Sequence, residues 1–321
     1  MNEFELIERY FVRANQSDNI RIGIGDDAAV LSVEKGKELV VATDTLVEGI
    51  HFSREQAASS LGHKTLAVNL SDLAAMSANP SWVTLNLVLP PDLHEQWVGE
   101  FARGFLGLAD RFKVALVGGD TSCGPLSMTA TVGGWVTKGQ ASSRSGACAG
   151  DTIYVSGTLG DAALGLDLAR RGEISFRDRN NIFLKKLMWP EPRILLGDKL
   201  RSVATSIIDI SDGLMADLDH ILSQSGDLGG LLYEDKIPIN VAALQSYSRR
   251  DCTKFALSGG DDYELCFTVP PEKGNLFETL IEEVDTNVTA IGIIDSNPGI
   301  RVFDLNDRRV DISKMGYLHN W

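Results

Sequence analysis

The sequence predicts a mixed α/β (α+β) fold built from two domains. The chain has 321 residues, which is more than one hydrophobic core usually supports. Hydrophobic residues make up 44% of it, enough to fill two cores. In both halves, segments whose apolar residues alternate as in a strand are interspersed with segments whose apolar residues have helical spacing. We therefore expect one domain over residues 1–145 and a second over residues 146–321.

In the first half, apolar residues predict three helices and five strands. The long helix is the clearest, because Trp97, Phe101, Phe105 and Leu108 recur every three or four residues and so share one face. Helices are predicted over residues 4–11, 63–78 and 93–112. Strands are predicted over residues 22–31, 38–42, 83–89, 114–117 and 127–137.

A small, polar stretch over residues 142–151 follows and favours a domain boundary. Beyond it the alternation resumes. Strands are predicted over residues 152–155, 206–208, 263–269, 288–294 and 300–303. Helices are predicted after Gly160 and over residues 194–203, 213–223 and 276–284.

Five aspartate motifs stand where apolar stretches meet glycine or hydroxyl residues. They read Gly25-Asp26-Asp27, Thr43-Asp44-Thr45, Gly118-Gly119-Asp120-Thr121, Asp209-Ile210-Ser211-Asp212-Gly213 and Gly259-Gly260-Asp261-Asp262. Carboxylates gathered at strand ends repel one another unless a cation lies among them. Hard oxygen ligands of this kind suit Mg²⁺ better than zinc or copper. A single Gly-Asp pair is most often only a turn, but five together favour a site for Mg²⁺ and phosphates.

Three further residues are candidates for the same site. Asp72 falls within a predicted apolar helix, where it is either a ligand or an exposed residue. Arg144 lies in the polar stretch, where an arginine is either a surface charge or a group that closes over phosphate. His51 is the only histidine near an acidic motif, whereas His63, His94 and His220 fall on predicted helices.

Composition narrows the class of partner. The net charge of −14 argues against nucleic acid or an anionic membrane, which basic patches would have to bind. No segment approaches the roughly 18 apolar residues of a membrane helix, and the acidic N-terminus is unlike a signal peptide. The four cysteines form no C-x-x-C pair. We therefore expect reduced thiols in a soluble, cytoplasmic protein.

Several nucleotide-binding and catalytic patterns are missing from the sequence. It contains no G-x-x-x-x-G-K-[ST] phosphate loop, no protein-kinase set and no H-E-x-x-H zinc motif. Gly157-Thr158-Leu159-Gly160 lacks the third glycine of a dinucleotide fingerprint. In phosphoryl transfer the protein mainly positions the reactants and neutralises charge. An aspartate cluster that binds metal ions can therefore meet the chemical requirements of that reaction.

At these motifs the sequence resembles the thiamine-monophosphate kinase family, whose superfamily includes aminoimidazole ribonucleotide synthetase and selenophosphate synthetase. The resemblance spans nearly the whole chain. Beyond the five acidic motifs it rests on Asn69-Leu70-Ser71-Asp72-Leu73-Ala74-Ala75-Met76, Arg144-Ser145-Gly146-Ala147 and Tyr263-Glu264-Leu265. It implies ATP-dependent phosphorylation of thiamine monophosphate to thiamine diphosphate by direct in-line transfer, without a covalent phosphoenzyme.

The resemblance also implies site residues and an assembly. Ligands of several Mg²⁺ ions would be Asp27, Thr43, Asp44, Asp72, Asp120, Asp209 and Asp212. Contacts to ATP would come from Gly119, Asp120, Arg144 and Ser211. Contacts to thiamine monophosphate would come from His51, Asp261 and Tyr317, whose ring could stack on a heterocycle. The family's fold implies a homodimer in which N-terminal strands of two subunits form one β-barrel, with the C-terminal α/β domain packed alongside.

Two residues depart from the family pattern. Asp261 stands where most members have glutamate, so its contact to thiamine could lengthen or pass through water. Ser77 stands where the family usually has glycine. Neither departure removes an expected metal ligand.

Other functions stay open from the sequence alone. Another ATP-using synthetase of the superfamily is one. Selenophosphate synthetase is disfavoured because the first cysteine is Cys123, well after the first acidic motif. Aminoimidazole ribonucleotide synthetase is disfavoured by the segment from Thr43 to His51 and by the aromatic C-terminal tail. A Mg²⁺-dependent phosphohydrolase and a non-catalytic metal-binding dimer are the alternatives from other classes.

Overall fold

The structure is a computed structural model that describes residues 3–12, 19–25, 27–178, 180–310 and 316. The chain divides into two compact units. Unit 1 comprises Met1–Leu73 and Ala78–Gly139, and unit 2 comprises Ala74–Ser77 and Gln140–Trp321. Each unit contains its own sheet with helices, so the mixed α/β class predicted from the sequence is confirmed.

Unit 1 is built around a four-stranded sheet. Its elements are α1 (Glu3–Tyr10), β1 (Ile20–Ile22), β2 (Val30–Leu31), β3 (Lys37–Val47), α2 (Ala58–Ala75), β4 (Asn79–Leu89), α3 (Glu95–Phe112), β5 (Ala115–Cys123) and β6 (Ser127–Thr137). The sheet has the order β3-β6-β4-β5. Strands β4 and β5 run parallel and the other pairs are antiparallel, so β3 and β5 form the two edges.

Helix α2 is enclosed on nearly all sides, although it carries polar residues. Its backbone touches α3 at two glycines. A methyl group at Gly62 would overlap the carbonyl oxygen of Phe101, and one at Gly104 would overlap the carbonyl oxygen of Ser59. Because neither helix has a side chain at the crossing, the two backbones lie in direct contact. This contact fixes the helix that carries Asp72.

Unit 2 contains a six-stranded sheet of order β12-β9-β11-β7-β10-β8. Its strands are β7 (Thr152–Ser156), β8 (Ser206–Asp209), β9 (Gly229–Tyr233), β10 (Leu265–Val269), β11 (Val288–Asp295) and β12 (Gly299–Phe303). Its helices are α4 (Asp161–Arg170), α5 (Ile182–Met188), α6 (Ile194–Leu200), α7 (Leu214–Gln224), α8 (Val241–Ser246), α9 (Arg249–Ser258) and α10 (Gly274–Ile281). Strands β9 and β12 are parallel, and the remaining pairs are antiparallel.

Both faces of the unit 2 sheet are covered at β10, where every residue is buried. Phe267 packs in one apolar cluster with Phe277 of α10, while Cys266 points to the cluster that contains Leu214 and Leu218 of α7. A strand buried on both faces reads as a continuous apolar run. This packing holds β8 and β10, from which the acidic loops of unit 2 emerge.

Two acidic motifs differ from their expected position after a strand. Strand β3 continues to Val47, so Thr43-Asp44-Thr45 lies inside the strand, and Gly118-Gly119-Asp120-Thr121 lies inside β5. The hydroxyls of Thr43 and Thr131 lie 2.9 Å apart across β3 and β6, and those of Thr45 and Thr129 lie 2.8 Å apart. Cross-strand threonine pairs stabilise a sheet, which explains the longer strand.

Ser77, at the family's usual glycine position, ends the turn after α2. Its φ of 53° is left-handed, a conformation that favours glycine. The buried hydroxyl lies 2.6 Å from that of Ser142. This hydrogen bond offsets part of the backbone strain and explains how the chain accommodates a serine here.

Candidate active site

In unit 1, the register of the sheet separates two of the expected metal ligands. Asp44 lies on β3 and Asp120 on β5, at opposite edges of the four-stranded sheet. With strands about 4.8 Å apart, their backbones are roughly 14 Å apart along the sheet. This sheet alone therefore does not bring the two carboxylates to a common ion.

The two aspartates also occupy different faces. Residues paired on neighbouring strands share one face of the sheet. Asp44 is paired with Ala130 and Ala130 with Leu85, and these two apolar residues are buried. Asp120 is paired with Asn86 and Asn86 with Thr129, on the opposite face. Thr43 lies on the face of Asp120, so adjacent residues of one motif point to opposite sides of the sheet.

The other expected ligands of unit 1 lie outside the sheet. Asp72 is half-buried on α2, and its neighbours Leu70 and Leu73 are fully buried. Asp27 is exposed in the turn between β1 and β2. Its neighbour Asp26 lies outside the described residues.

His51 lies in the turn that follows β3. Its Nδ1 accepts a hydrogen bond from the backbone N–H of Val47, with 3.0 Å between the nitrogen atoms. A neutral imidazole that accepts at Nδ1 carries its proton on Nε2. The end of β3 thus fixes the orientation of the His51 side chain.

The backbone conformation and close packing of β5 require glycine at position 119. Its φ is +153°, and a methyl group there would overlap the carbonyl oxygen of Leu85 on the adjacent strand. Gly118 has ordinary backbone and meets only the methyl group of Thr84 at 3.9 Å. The second glycine of the pair therefore permits close pairing of β4 with β5, quite apart from any contact with a nucleotide.

In unit 2, a buried carboxylate organises the loop after β8. Asp217, in the first turn of α7, is 3% exposed. Its Oδ2 accepts the backbone N–H groups of Ser211, Asp212 and Gly213, each at 3.1 Å. Three hydrogen bonds to one oxygen fix the conformation of this loop. Ser211 and Asp212, both partly exposed, are thereby held in place by a residue that does not itself face outward.

Electrostatics show that negative charge is concentrated around this loop. Burial, followed by repulsion from Asp209 and then Asp212, raises the pKa of Asp217 to about 8. The same charges that disfavour an ionised Asp217 would favour a divalent cation beside Asp209 and Asp212. Carboxylate oxygens are hard ligands of the type Mg²⁺ prefers, so these two residues fit the ion chemically.

A second loop is bonded to the first. The backbone N–H of Asp261 donates to the carbonyl oxygen of Ser211 at 2.9 Å, and that of Tyr263 donates to Ile210 at 2.8 Å. A methyl group at Gly260 would overlap the carbonyl oxygen of Ser211. We call residues 209–213 and 259–264 the loop pair. Two backbone hydrogen bonds join its two members.

Within the loop pair, Asp261 and Tyr263 both have left-handed backbone, with φ of 70° and 50°. The Tyr263 hydroxyl donates to Asp261 Oδ1 at 3.0 Å. Tyr263 is buried, whereas Asp261 is partly exposed. Non-glycine residues in this conformation store strain and concentrate at functional sites.

Two buried acids of the loop pair, Glu264 and Asp262, form hydrogen bonds with other parts of unit 2. Glu264 accepts from Ser156 Oγ at 2.6 Å and from Arg193 Nε at 2.6 Å, and it also pairs with Arg193 Nη2. Asp262 Oδ2 accepts the Gly160 backbone N–H at 2.7 Å. Burial and then the neighbouring carboxylates of Asp161 and Glu264 raise the pKa of Asp262 well above its usual range.

The segment that carries Arg144 is anchored on both sides. The Ile207 N–H of β8 donates to the carbonyl oxygen of Ser143 at 2.9 Å. The backbone N–H of Gly146 donates to Ser225 Oγ at 3.2 Å. Arg144 itself is exposed, next to the strand that ends at Asp209.

Tyr317 lies outside the described residues, but its neighbour Gly316 does not. Gly316 has a φ of +144° and touches the loop pair. A methyl group there would come within 2.6 Å of Ala216 Cβ and 2.9 Å of the Asp212 carbonyl oxygen. The residue before Tyr317 is therefore in contact with the Asp212 loop.

Among the residues that the structure describes, no three His, Cys, Asp or Glu side chains are gathered closely enough to form a complete metal centre. Nor does any described helix have the length and apolarity needed to cross a membrane.

The fold and these acidic loops place the chain in a class of mixed α/β proteins. Residues 25–136 match the family described as AIR synthase related protein, N-terminal domain. A thiamine-monophosphate kinase of Buchnera aphidicola is 41% identical, over 99% of this chain and 98% of its own. The chain belongs to the thiamine-monophosphate kinase family.

Solved structures agree with this assignment. The thiamine-monophosphate kinase of Stenotrophomonas maltophilia K279a is 45% identical, with a TM-score of 0.88 over 94% of this chain and 96% of its own. AaThiL complexed with AMPPCP and TMP is 30% identical, with a TM-score of 0.77 over 94% and 93%.

The sequence motifs include the acidic loops together with Tyr263 and Glu264, but they assign no role to these two residues and do not single out Asp217. A signal for Asp217 existed. It shares the buried face of α7 with Leu214, Leu218 and Ile221, where a solvated aspartate would not be expected. An acidic residue on an apolar face indicates a specific internal partner.

Proposed function

We propose that this chain transfers the γ-phosphoryl group of ATP directly to thiamine monophosphate and so forms thiamine diphosphate and ADP. Membership of the thiamine-monophosphate kinase family over 99% of the chain carries this proposal. The organised loop pair supports it, because a reaction between two anions needs fixed acidic loops rather than a protein nucleophile.

The chain's own residues position the reactants. Asp217 and the backbone bonds of the loop pair hold the backbone of Ser211 and Asp212 in place, so this loop loses little backbone entropy when Ser211 binds ATP and Asp212 binds Mg²⁺. Gly119, Asp120 and Arg144 complete the proposed ATP contacts, and the exposed arginine supplies positive charge for phosphate oxygens. His51 presents Nε2–H towards substrate, and Asp261 recognises thiamine monophosphate together with Tyr317.

Magnesium is part of the proposal. The ligands would be Asp27, Thr43, Asp44, Asp72 and Asp120 of unit 1 and Asp209 and Asp212 of unit 2. Mg²⁺ supplies charge neutralisation between the two phosphates. The hard carboxylate oxygens of Asp209 and Asp212, held on one short loop, support this assignment for the unit 2 ligands.

We further propose that unit 1, as the ATP-, metal- and dimer-forming domain, joins a second copy of itself into a β-barrel. Strand β3 is an eleven-residue edge strand, and its outer face exposes Leu39 (45%) and Val41 (53%). A long edge with exposed apolar residues invites pairing with another strand. Closure of two four-stranded sheets would remove the edges. A cytoplasmic location completes the proposal and is consistent with four cysteines that form no disulfide.

The test is an assay with Mg²⁺, ATP and thiamine monophosphate. The kinase should produce ADP and thiamine diphosphate in equal amounts. Phosphate release without thiamine diphosphate would instead identify a phosphohydrolase. Retained Mg²⁺ binding without any turnover would identify a non-catalytic metal-binding protein.

A further inference from the structure

The backbone around Arg144 is held on both sides of the arginine. We call residues 142–147 the Arg144 segment. At its start, the backbone N–H of Ser142 donates to the carbonyl oxygen of Met76 at 3.2 Å. The hydroxyls of Ser77 and Ser142 lie 2.6 Å apart, and Ser77 is buried. The turn after α2 therefore anchors the first residue of the segment.

A single hydroxyl holds the other end of the Arg144 segment. Ser225 directly follows α7, and its Oγ accepts the backbone N–H groups of Gly146 and Ala147 at 3.2 and 3.1 Å. Ala147 is 4% exposed and belongs to an apolar core cluster of unit 2. Gly146 has a φ of +121°, and a methyl group there would come within 2.5 Å of the Thr205 carbonyl oxygen. The end of the segment is therefore closely fitted to unit 2.

The side chain of Arg144 contrasts with this anchored backbone. Arg144 is exposed, and its guanidinium forms no hydrogen bond or ion pair with any part of the chain that the structure describes. The chain has 44 acidic residues and 30 lysines and arginines, so carboxylates are abundant. An arginine that stays unpaired in such a chain, on a backbone fixed at both ends, is available to an anion from outside the protein.

We propose that Ser77 and Ser225 are positioning residues for ATP, acting through Arg144. The inference rests on the proposed function, in which Arg144 binds phosphate oxygens. The two hydroxyls bind the chain rather than the nucleotide, and each fixes the backbone on one side of the arginine. Because the backbone is ordered in advance, less conformational entropy is lost when the guanidinium binds phosphate.

Ser77 makes the anchor particular to this chain. A glycine, usual in the family at this position, has no hydroxyl to offer Ser142. The φ of Ser77 is 53°, a left-handed conformation that glycine adopts with less strain. Stability of the turn alone would therefore favour glycine, and the contact with the Arg144 segment is what the serine adds.

The test measures KM for ATP and KM for thiamine monophosphate in full-length variants. Removing one neutral hydrogen bond changes an equilibrium constant by about two- to tenfold. We therefore expect KM for ATP to rise about threefold in Ser77→Gly, and about tenfold in Ser225→Ala, which loses two such bonds. KM for thiamine monophosphate should stay within about twofold in both variants, since the segment faces the other reactant.

Two comparisons separate positioning from folding. Ser223→Ala is the matched control, because the Ser223 hydroxyl donates within α7 to the carbonyl oxygen of His220, and KM for ATP should not change. Ser77→Gly relieves left-handed strain, so its melting temperature should stay near wild type while KM for ATP rises. A purely structural serine would instead lower the melting temperature and leave KM for ATP as it was.

A double-mutant cycle shows whether the serines act through Arg144. Arg144→Ala should raise KM for ATP more than either serine variant does. Adding Ser225→Ala or Ser77→Gly to Arg144→Ala should then change KM for ATP by less than about twofold. Calorimetric binding of ATP without thiamine monophosphate should follow the same order.

The outcomes are distinguishable. If the wild type forms no thiamine diphosphate, the proposed function fails, and the calorimetric ATP affinities of the same variants decide the positioning role alone. If Arg144→Ala weakens ATP binding while both serine variants match wild type, the positioning role is overturned and the role of Arg144 stands. An effect in one serine variant alone overturns the role of the other serine.

Four further results would overturn the inference as a whole. They are an unchanged KM for ATP in Arg144→Ala, equal rises in both KM values in the serine variants, full additivity of the serine variants with Arg144→Ala, and failure of both Ser77→Gly and Ser225→Ala to fold.

Discussion

Asp217 accepts the backbone N–H of Asp212, five residues earlier, at 3.1 Å, and so a buried carboxylate shapes the loop that carries a partly exposed one. The same oxygen also accepts from Ser211 and Gly213. The position of Asp212 is therefore set from inside α7, and the loop depends on a residue that is only 3% exposed.

Replacing Asp217 with alanine should impair both loop order and turnover. Three backbone N–H groups would lose their partner in a buried setting, at about 1–3 kcal/mol for each group left unsatisfied. We expect kcat/KM to fall by about 100-fold or more. The control is Asp219→Ala on the exposed side of the same helix, which should behave as wild type. Steady-state kinetics with both variants check this, and full activity in Asp217→Ala would contradict the role of the three bonds.

Loss of a single metal-ligand charge should stop catalysis without unfolding the chain. Asp44→Asn and Asp72→Asn each keep the size of the side chain, and we expect turnover to fall by about two orders of magnitude or more. Circular dichroism and the melting temperature should remain close to wild type. Asp110→Asn, on the exposed surface of α3, serves as the control. Wild-type turnover in either variant would remove that residue from the proposed site.

Asp262 should make stability depend on pH. Its pKa is raised in the folded state, so the folded chain holds a proton that the unfolded chain has released. Stability contributed by Asp262 is therefore greatest below the unfolded pKa of about 3.9 and falls as pH rises towards the folded pKa.

The variant Asp262→Asn lacks this titration, while its side-chain oxygen can still accept from Gly160. Relative to wild type, it should gain stability as pH rises, by at most about 1.4 kcal/mol for each pH unit in that window. Urea unfolding of both proteins at pH 5, 6.5 and 8 measures the difference. Two stability curves that run parallel across this range would rule out a raised pKa at Asp262.

The two glycines before Asp120 should differ sharply in how well they tolerate substitution by alanine. Gly119→Ala places a methyl group against the carbonyl oxygen of Leu85 in a strained conformation, so we expect the melting temperature to fall by about 5 °C or more. Gly118→Ala meets no such obstacle and should melt near wild type. Thermal unfolding of the pair decides the point, and equal melting temperatures would show that the backbone of β5 does not require Gly119.

The exposed face of β3 should control assembly if it belongs to the proposed dimer interface. Val41→Lys introduces a charge at a position that would be buried in the barrel, so it should shift the protein towards monomer. Lys35→Glu, in the exposed turn before β3, changes the charge outside the strand and is the control. Sedimentation velocity gives the masses. A dimer that withstands Val41→Lys would place the interface elsewhere.

Much of the fold could be predicted from apolar periodicity alone. The strand over residues 127–137 is confirmed to the residue, and the long helix ends at Phe112 as predicted. These elements have strong one-sided patterns because one face packs in a core. Helix α9 was not predicted, since four of its ten residues are charged and its Ser248 N-cap gave the main local signal. Strand β9 was not predicted either, because Gly229-Gly230 reads as a turn.

The acidic motifs could also be located from the sequence, but their surroundings could not. Local patterns identify Asp209 and Asp212, whereas the hydrogen bonds that Asp217 accepts and the one that Tyr263 donates depend on the backbone conformation of each loop. Similarly, no spacing rule shows that Asp44 and Asp120 fall at opposite edges of a sheet. Strand order is a property of long-range pairing, which local sequence does not encode.

The reciprocal glycine contact between α2 and α3 has a mechanical consequence. Because Gly62 rests on the Phe101 carbonyl and Gly104 on the Ser59 carbonyl, neither helix can slide lengthwise without steric collision. The axial height of Asp72 is thus locked by main-chain atoms, independent of how neighbouring side chains repack. Any adjustment that ligand binding demands in unit 1 must come from its turns, with this helix pair acting as the rigid frame against which they shift.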